Sequence, residues 1–182
     1  MRIIAGKHKG RKLFELTHLG TRPTIDRVRE SIFSKIQFDI KYATVLDLFS
    51  GTGAMSFEAL SRGAKVVYAI DNSKESYELI KKNNEMLKEN LNIVYADFKT
   101  SLLDFKKQNK TFDVIFLDPP YETDYAEYAL EFIAKNNLLN SNGVIVWEHN
   151  KNKNQYVLPT ELIIYDEKKY GAVFVTYITL NE

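Results

Sequence analysis

The sequence predicts an α/β fold in which helices cover a mostly parallel sheet. From residue 42 onward, short apolar stretches typical of buried strands alternate with longer stretches whose apolar residues recur at helical spacing. Strands that alternate with helices form parallel sheets with right-handed crossovers. The last two strand-like stretches are joined through Tyr170 and Gly171 without a helix, so we expect a hairpin and an antiparallel last strand.

Each element of this pattern has its own local signal. We expect strands at residues 43–47, 65–70, 92–95, 112–117, 143–147, 161–167 and 172–180, and helices at residues 54–62, 73–87, 100–107 and 124–136. Gly63 closes the first of these helices, because glycine readily takes the positive φ of a helix end. Tyr77, Ile80 and Leu87 form the predicted inner face of the helix at residues 73–87.

Residues 1–41 are predicted to form a basic N-terminal extension to a domain that spans residues 42–182. Residues 2–5 and 11–14 are strand-like and suggest a small hairpin. A helix follows, with Thr24 as its N-cap and an apolar stripe that consists of Ile25, Val28, Ile32, Phe33 and Ile36.

Charge is distributed unevenly along the chain. The first 41 residues hold 10 Lys and Arg against 4 Asp and Glu, a net +6, whereas the remainder holds 15 against 20, a net −5. A basic arm beside an acidic body is typical of a phosphate-binding extension next to a separate chemical domain. The alternative is that these lysines only keep a flexible segment in solution.

Composition excludes several classes of protein. The chain has 182 residues and no cysteine, which rules out disulfides, thiolate zinc sites and a cysteine nucleophile. The histidines His8, His18 and His149 are scattered, so we expect no metal site. The charged first residues do not resemble a signal peptide, and no apolar run approaches the roughly 20 residues that span a bilayer. We therefore expect a cytoplasmic protein without membrane contact.

A glycine turn follows the first predicted strand. Asp47 ends that strand, Gly51 and Gly53 follow in the turn, and Asp71 comes twenty residues after Gly51. In open α/β sheets ligands bind beyond the carboxyl ends of the strands, and glycines let the backbone approach a ligand closely. A carboxylate at the position of Asp71 could accept hydrogen bonds from both hydroxyls of a ribose.

Two kinds of cofactor suit this spacing. An NAD-binding turn usually has Gly or Ala at a third position, which is Ser56 here, and Asp47 would repel a pyrophosphate. Asp47 instead suits a ligand with a cationic amino-acid end, such as S-adenosylmethionine, which carries no phosphate. After the third strand, Asp97 could accept a bond from the adenine amino group while Phe98 packs near the ring.

The sequence Asp118-Pro119-Pro120-Tyr121 directly follows the fourth predicted strand. Two prolines would form a rigid loop in any case, but the flanking acid and aromatic suggest chemistry on an amino group. The carboxylate of Asp118 and the carbonyl of Pro119 could accept the two N–H groups of an exocyclic amine and orient its lone pair for methyl transfer. Tyr121 could stack on an unpaired base. Asp118 could also act as a general base, although the reaction does not require one.

These motifs together resemble the RsmD-type family of ribosomal RNA guanine-N2 methyltransferases. The likeness covers nearly the whole chain. It includes Arg-Ile-Ile-Ala-Gly at residues 2–6, Gly-Arg-Lys-Leu at 10–13, Arg-Pro-Thr at 22–24, Arg-Val-Arg-Glu at 27–30, the turn at 47–54, the acidic motif at 118–121 and Tyr-Gly at 170–171. The resemblance implies a Rossmann-like seven-stranded methyltransferase sheet. It also implies S-adenosyl-L-methionine as cofactor and a guanine of 16S ribosomal RNA in the small ribosomal subunit as substrate.

We therefore predict three groups of functional residues in a monomeric enzyme. The predicted cofactor site consists of Asp47, Phe49, Gly51, Gly53, Asp71, Asn72, Asp97, Phe98 and Asp118. The predicted catalytic residues are Asp118, Pro119, Pro120 and Tyr121, and the predicted RNA contacts are Lys7, Lys9, Arg11, Lys12, Arg22, Thr24, Arg27 and Arg29. Alternatives are a DNA adenine-N6 methyltransferase, a non-catalytic RNA-binding scaffold on the same fold, and an NAD-dependent oxidoreductase.

Overall fold

The computed structural model describes residues 1–15, 23–150 and 156–181, and for residues 23–25 it describes the backbone alone. The strands are β1 (Thr44–Asp47), β2 (Val66–Asp71), β3 (Asn92–Tyr95), β4 (Phe112–Leu117), β5 (Leu139–His149), β6 (Leu162–Tyr170) and β7 (Val173–Leu180). The helices are α1 (Pro23–Lys35), α2 (Gln37–Ile40), α3 (Ala54–Ser61), α4 (Lys74–Leu87), α5 (Phe98–Lys107) and α6 (Tyr125–Lys135).

The strands form one 7-stranded sheet in the order β3-β2-β1-β4-β5-β7-β6. Strands β1 to β5 pair in parallel, and β7 is antiparallel to both β5 and β6. The predicted α/β class, the seven-stranded sheet and the antiparallel last strand are thereby confirmed.

The strand order reverses between β1 and β4. From β1 the chain moves outward through β2 and β3, and then returns to place β4 on the other side of β1. The carboxyl ends of β1 and β4 therefore diverge into loops that leave in opposite directions, which opens a crevice where ligands bind in such sheets. The glycine turn and the Asp118 motif both begin at this crevice.

Two apolar clusters cover the two faces of the sheet. Alternate residues of β4 point to opposite faces, so that Val114 and Phe116 join one cluster while Ile115 and Leu117 join the other. The first cluster includes residues of α1 to α4, and the second includes residues of α5 and α6. Within α4, Ile80 and Leu87 are buried as predicted, but Tyr77 is only half-buried and packs on Tyr95 at a ring distance of 5.5 Å.

The first residues form a tight loop and not two full strands. A single antiparallel bridge pairs Arg2 with Lys12. Ile3 and Leu13 are buried in the first of the two apolar clusters, together with residues of the strands. The division of the chain at residue 41 thus follows sequence and charge, whereas the apolar packing is continuous across it.

A buried carboxylate holds this loop on α3. Glu58, which is fully buried, accepts hydrogen bonds from the backbone N–H groups of Ile4 (2.8 Å) and Ala5 (3.0 Å) and from Arg62 (2.7 Å). Gly6 lies so close that a Cβ there would be 1.8 Å from the carbonyl oxygen of Ser61. The start of the chain is therefore fixed on the carboxyl-terminal half of α3.

Candidate active site

Three carboxylates lie side by side at the carboxyl ends of three adjacent strands. Asp47 ends β1, Asp118 directly follows β4, and Glu148 lies near the end of β5. The register pairs Asp47 with Phe116 and Leu117 with Trp147, so Asp118 and Glu148 follow neighbouring residues on neighbouring strands. The sequence prediction contained the first two carboxylates and missed Glu148.

Asp47 is a desolvated acid. It is 3% exposed, and Ser56 donates a hydrogen bond to its Oδ2 over 2.6 Å. The pKa of Asp47 is raised to about 6, mainly by burial; nearby Asp71 contributes to the rise, and the hydrogen bond from Ser56 opposes it. A buried acid in this state gains most from a cationic partner. Ser56, considered above only as a departure from the NAD pattern, orients Asp47.

The glycine turn is held in shape by Asp71. Gly51 and Gly53 both have positive φ, at 52° and 77°. One oxygen of Asp71 accepts the N–H of Gly51 over 2.7 Å and the other accepts the N–H of Ser73 over 2.8 Å. Each carboxylate oxygen has a second lone pair, so Asp71 can hold the turn and still accept from a ligand.

An open cleft lies beside the turn. It is lined by four predicted cofactor residues and one residue of the predicted catalytic motif, Phe49, Asp71, Asn72, Phe98 and Pro120, and by three residues that were not predicted, Leu48, Ala96 and Tyr125. The ring of Phe98 packs on Phe49 at 5.0 Å and on Tyr125 at 4.9 Å. A cleft with aromatic walls and one carboxylate suits a nucleoside.

Asp97 serves as the N-cap of α5. Its Oδ1 accepts the N–H of Lys99 over 2.8 Å, and the residue is otherwise exposed. The second oxygen keeps the capacity for a ligand, and Phe98 next to it is buried. The proposed contact of Asp97 with an adenine amino group stays a prediction.

The acceptor side of the crevice contains Asp118, Tyr121 and Glu148. Asp118 is open to solvent within the crevice but has protein on most sides, which raises its pKa well above the usual range, and Glu148 and Asp47 add to this effect. Tyr121 donates a hydrogen bond from its hydroxyl to Glu148 over 2.9 Å, and its ring is 37% exposed. Burial raises the pKa of Tyr121 and of Glu148 as well.

The basic residues predicted to bind RNA divide into different environments. Lys9, Arg11, Lys12 and Arg27 are exposed, and Lys7 is exposed but paired with Glu89 over 2.6 Å. The backbone N–H of Lys7 donates to Ser61 at the carboxyl end of α3, about 10 Å along the helix from the glycine turn. Residue 22 and the side chain of Thr24 lie outside the described part of the chain.

The prediction that Arg29 contacts RNA is wrong. It is 3% exposed, and its Nη2 donates to the Arg2 carbonyl (2.6 Å) and to Asp26 (3.1 Å). A guanidinium inside the protein cannot reach an RNA phosphate, so Arg29 joins α1 to the start of the chain instead. The helical spacing placed it off the apolar stripe of α1, but the N-terminal loop covers that side of the helix.

Residues 1–15, 23–150 and 156–181 contain neither a metal-binding cluster nor a membrane-spanning helix. No group of three or more His, Asp or Glu side chains there could hold a metal ion. In the same part of the chain, no helix is long and apolar enough to cross a membrane.

A model of the protein family described as Conserved hypothetical protein 95 matches residues 1–179. The chain belongs to this family. A relative from Haemophilus influenzae, named Ribosomal RNA small subunit methyltransferase D, is 40% identical over 179 residues, which are 95% of this chain and 90% of the relative. The predicted membership of the RsmD-type family is thereby confirmed.

Solved structures agree on the fold. The candidate methyltransferase yhhF of Escherichia coli superimposes with a TM-score of 0.87 at 29% identity, over 99% of this chain and 97% of that one. A candidate methyltransferase solved in complex with SAH matches with a TM-score of 0.65 at 20% identity, over 81% of this chain and 49% of that one. This family member therefore has the fold of the methyltransferases.

Proposed function

We propose that this protein transfers a methyl group from S-adenosylmethionine to the exocyclic N2 amino group of a guanine in 16S ribosomal RNA. One observation carries the proposal: the acceptor motif reaches the cofactor cleft, since Pro120 lines the same cleft as Asp71 and Phe98. An amino group held by Asp118 would thus lie next to a nucleoside held in the cleft.

The residues of the cleft fit S-adenosylmethionine. Asp47, next to the lining residue Leu48, offers a desolvated carboxylate for the ammonium group, Asp71 offers acceptors for the ribose, and the rings around Phe98 offer an apolar wall for adenine. Asp47 would repel a pyrophosphate, which argues against NAD. When bound, S-adenosylmethionine supplies a methyl group on a positively charged sulfur, and the amine nitrogen takes this group as the S–C bond breaks.

The acceptor residues prepare the amine. Asp118 and the carbonyl of Pro119 accept hydrogen bonds from the two N–H groups of the amine, so that the nitrogen lone pair points toward the cleft. Pro119 is buried, its ring fixes its φ, and the following Pro120 restricts its ψ, so the carbonyl is kept in place. Once the N–C bond has formed, the surplus proton leaves the nitrogen to Asp118 or to water. Because burial raises the pKa of Asp118, its carboxylate holds a proton more readily than an ordinary aspartate does.

Relatives and charge support RNA as the substrate. The Haemophilus influenzae relative bears the name of a small-subunit ribosomal RNA methyltransferase. The net charge of +6 in the first 41 residues would attract a polyanion, and the exposed Tyr121 ring can stack on an unpaired base. We propose that a monomer binds the small ribosomal subunit or its RNA in this way.

Mass analysis of nucleosides from a deletion strain tests this function. We expect N2-methylguanosine to be lost from one position of small-subunit RNA, and the purified protein with labelled S-adenosylmethionine to restore it. Loss of N6-methyladenine from DNA, with N2-methylguanosine undiminished, would instead favour an adenine methyltransferase.

The cofactor should depend strongly on Asp71. Asp71→Ala is expected to weaken S-adenosylmethionine binding by about 2–4 kcal/mol, because a charged acceptor of two hydrogen bonds is lost. Isothermal titration measures this change. Asp71→Asn is the matched control, since its amide oxygen can still accept the N–H of Gly51. Unchanged affinity in the alanine variant would remove Asp71 from the site.

RNA binding should depend on the exposed basic residues of the N-terminal loop. The triple variant Lys9→Gln, Arg11→Gln and Lys12→Gln is expected to weaken RNA binding and to lower its logarithmic salt slope by about 2, at about 0.7 per lost phosphate contact on single strands. Filter binding at several salt concentrations measures the slope. The pair Lys106→Gln and Lys107→Gln on α5 is the control. An equal loss per removed charge in both variants would show that only net charge matters.

A further inference from the structure

Glu148 is a part of the acceptor site that the methyl-transfer argument leaves without a role. It lies on β5, half-buried, beside Asp118, which directly follows β4, and the backbones of neighbouring strands are about 4.8 Å apart. Side chains on strands with this spacing can direct two acceptors to two adjacent donors on one edge of a base. Asp118 engages the amino group in the proposed function, which leaves Glu148 facing the next position on the ring.

We propose that Glu148 accepts the N1–H of the target guanine and thereby selects guanine over adenine. The proposal rests on the proposed function and adds a specificity-determining residue to it. Guanine presents N1–H beside its N2 amino group, so its pairing edge contains two adjacent donors next to the O6 acceptor. Adenine presents a lone pair at N1 beside its amino group, and a carboxylate would repel that lone pair. Enzymes that take a base out of its stack read it through this edge.

The contacts of Glu148 prepare it for this role. The Tyr121 hydroxyl donates to Oε1 over 2.9 Å, which fixes the carboxylate plane and leaves Oε2 and further lone pairs for a ligand. Burial raises the pKa of Glu148, which shows that protein groups under-solvate the charged form. A guanine N1–H would supply the missing donor. Tyr121 thus has two roles in this proposal: its ring stacks on the base, and its hydroxyl positions Glu148, which recognises the edge of the base.

A purely structural reading is that Glu148 only holds Tyr121 in place. In that case its loss would slow the reaction with every base alike. If Glu148 instead recognises the N1–H group, its loss would slow the reaction only with bases that carry this group. The ratio of rates for two bases therefore separates the two roles.

The test uses 2,6-diaminopurine, which keeps the N2 amino group but has an acceptor at N1. The target nucleotide, once mapped by the nucleoside analysis above, is replaced in 16S RNA by splinted ligation, and the RNA is assayed both free and assembled into subunits. For the wild-type protein we expect single-turnover rates on guanine to exceed those on the analogue by at least about a hundredfold. For Glu148→Gln we expect the guanine rate to fall about tenfold to a hundredfold and the ratio to fall below about ten.

Two further variants sharpen the result. Glu122→Gln changes an exposed glutamate next to Tyr121 and should leave the ratio unchanged. Tyr121→Phe keeps the ring, removes the hydroxyl that fixes Glu148, and should lower the ratio partway. Affinity for the two RNAs, measured with S-adenosylhomocysteine present, should follow the same ratios without any turnover.

Two failures can be told apart. If the wild-type protein methylates neither RNA, the proposed function fails and the role of Glu148 fails with it. If the wild type prefers guanine and Glu148→Gln keeps that preference while slowing both reactions, the function stands and Glu148 only supports Tyr121.

Discussion

Asp118→Ala is expected to lower the single-turnover rate of methyl transfer at least about a thousandfold while the affinity for S-adenosylmethionine stays within a few-fold. The variant loses an acceptor that orients the amine, and orientation of reactants is among the largest contributions to catalysis. Affinity should change little because Asp118, although it was also predicted to be part of the cofactor site, is not among the residues that line the cleft.

Two companions make this result specific. Asp118→Asn keeps one acceptor oxygen and should retain more activity than the alanine variant. Tyr121→Ala should be less damaging than Asp118→Ala if the ring only positions the base. A rate within twofold of wild type for Asp118→Ala would reduce Asp118 to a loop residue.

Asp47→Asn is expected to stabilise the protein and to weaken its cofactor binding at the same time. The pKa of Asp47 lies near 6, about two units above the ordinary value, so its ionised form destabilises the cofactor-free fold by ~3 kcal/mol at neutral pH. Asparagine keeps the acceptor for Ser56 and has no charge to desolvate. We expect the Tm without cofactor to rise by about 6–10 °C and cofactor affinity to fall at least about tenfold.

The destabilisation by Asp47 should depend on pH. A carboxyl whose pKa is raised on folding contributes stability that is present below about pH 4 and lost as the pH rises through about 6. The wild type and Asp47→Asn should therefore be about equally stable near pH 4 and should differ fully above pH 7. Urea unfolding at a series of pH values measures the difference. A constant difference from pH 4 to 8 would contradict an ionised Asp47 as its cause.

The sequence indicated the functional carboxylates at the ends of strands but not the one inside a strand. Asp47, Asp71 and Asp118 are recognisable because each ends or directly follows an apolar run. Glu148 escaped because the fifth strand was expected to end at Trp147, which made the glutamate look like the start of a loop. The signal that could have identified Glu148 is an acidic side chain within a strand that is buried on both faces.

The start of the same strand was also misplaced, for a different reason. The fifth strand was expected to begin at Gly143, after the polar residues 140–142, yet β5 begins at Leu139. The pairing of β4 with β5 shifts register between Phe112 and Val114, and Asn140 donates to Asp113 over 2.6 Å. This irregularity accommodates polar residues inside a strand, and it depends on a partner strand that local sequence does not reveal.

The reversal of strand order at β1 and β4 also has a consequence for how such an enzyme can diversify. Most residues proposed for the methyl donor lie between Asp47 and Phe98, on one side of the reversal, and those proposed for the target base lie between Asp118 and Glu148, on the other. Of the residues that the structure describes, only Pro120 and Tyr125 reach the donor cleft from the second stretch. Substitutions in the second stretch can change the base that is methylated while the donor site keeps its residues, so new target specificities can arise without rebuilding the chemistry.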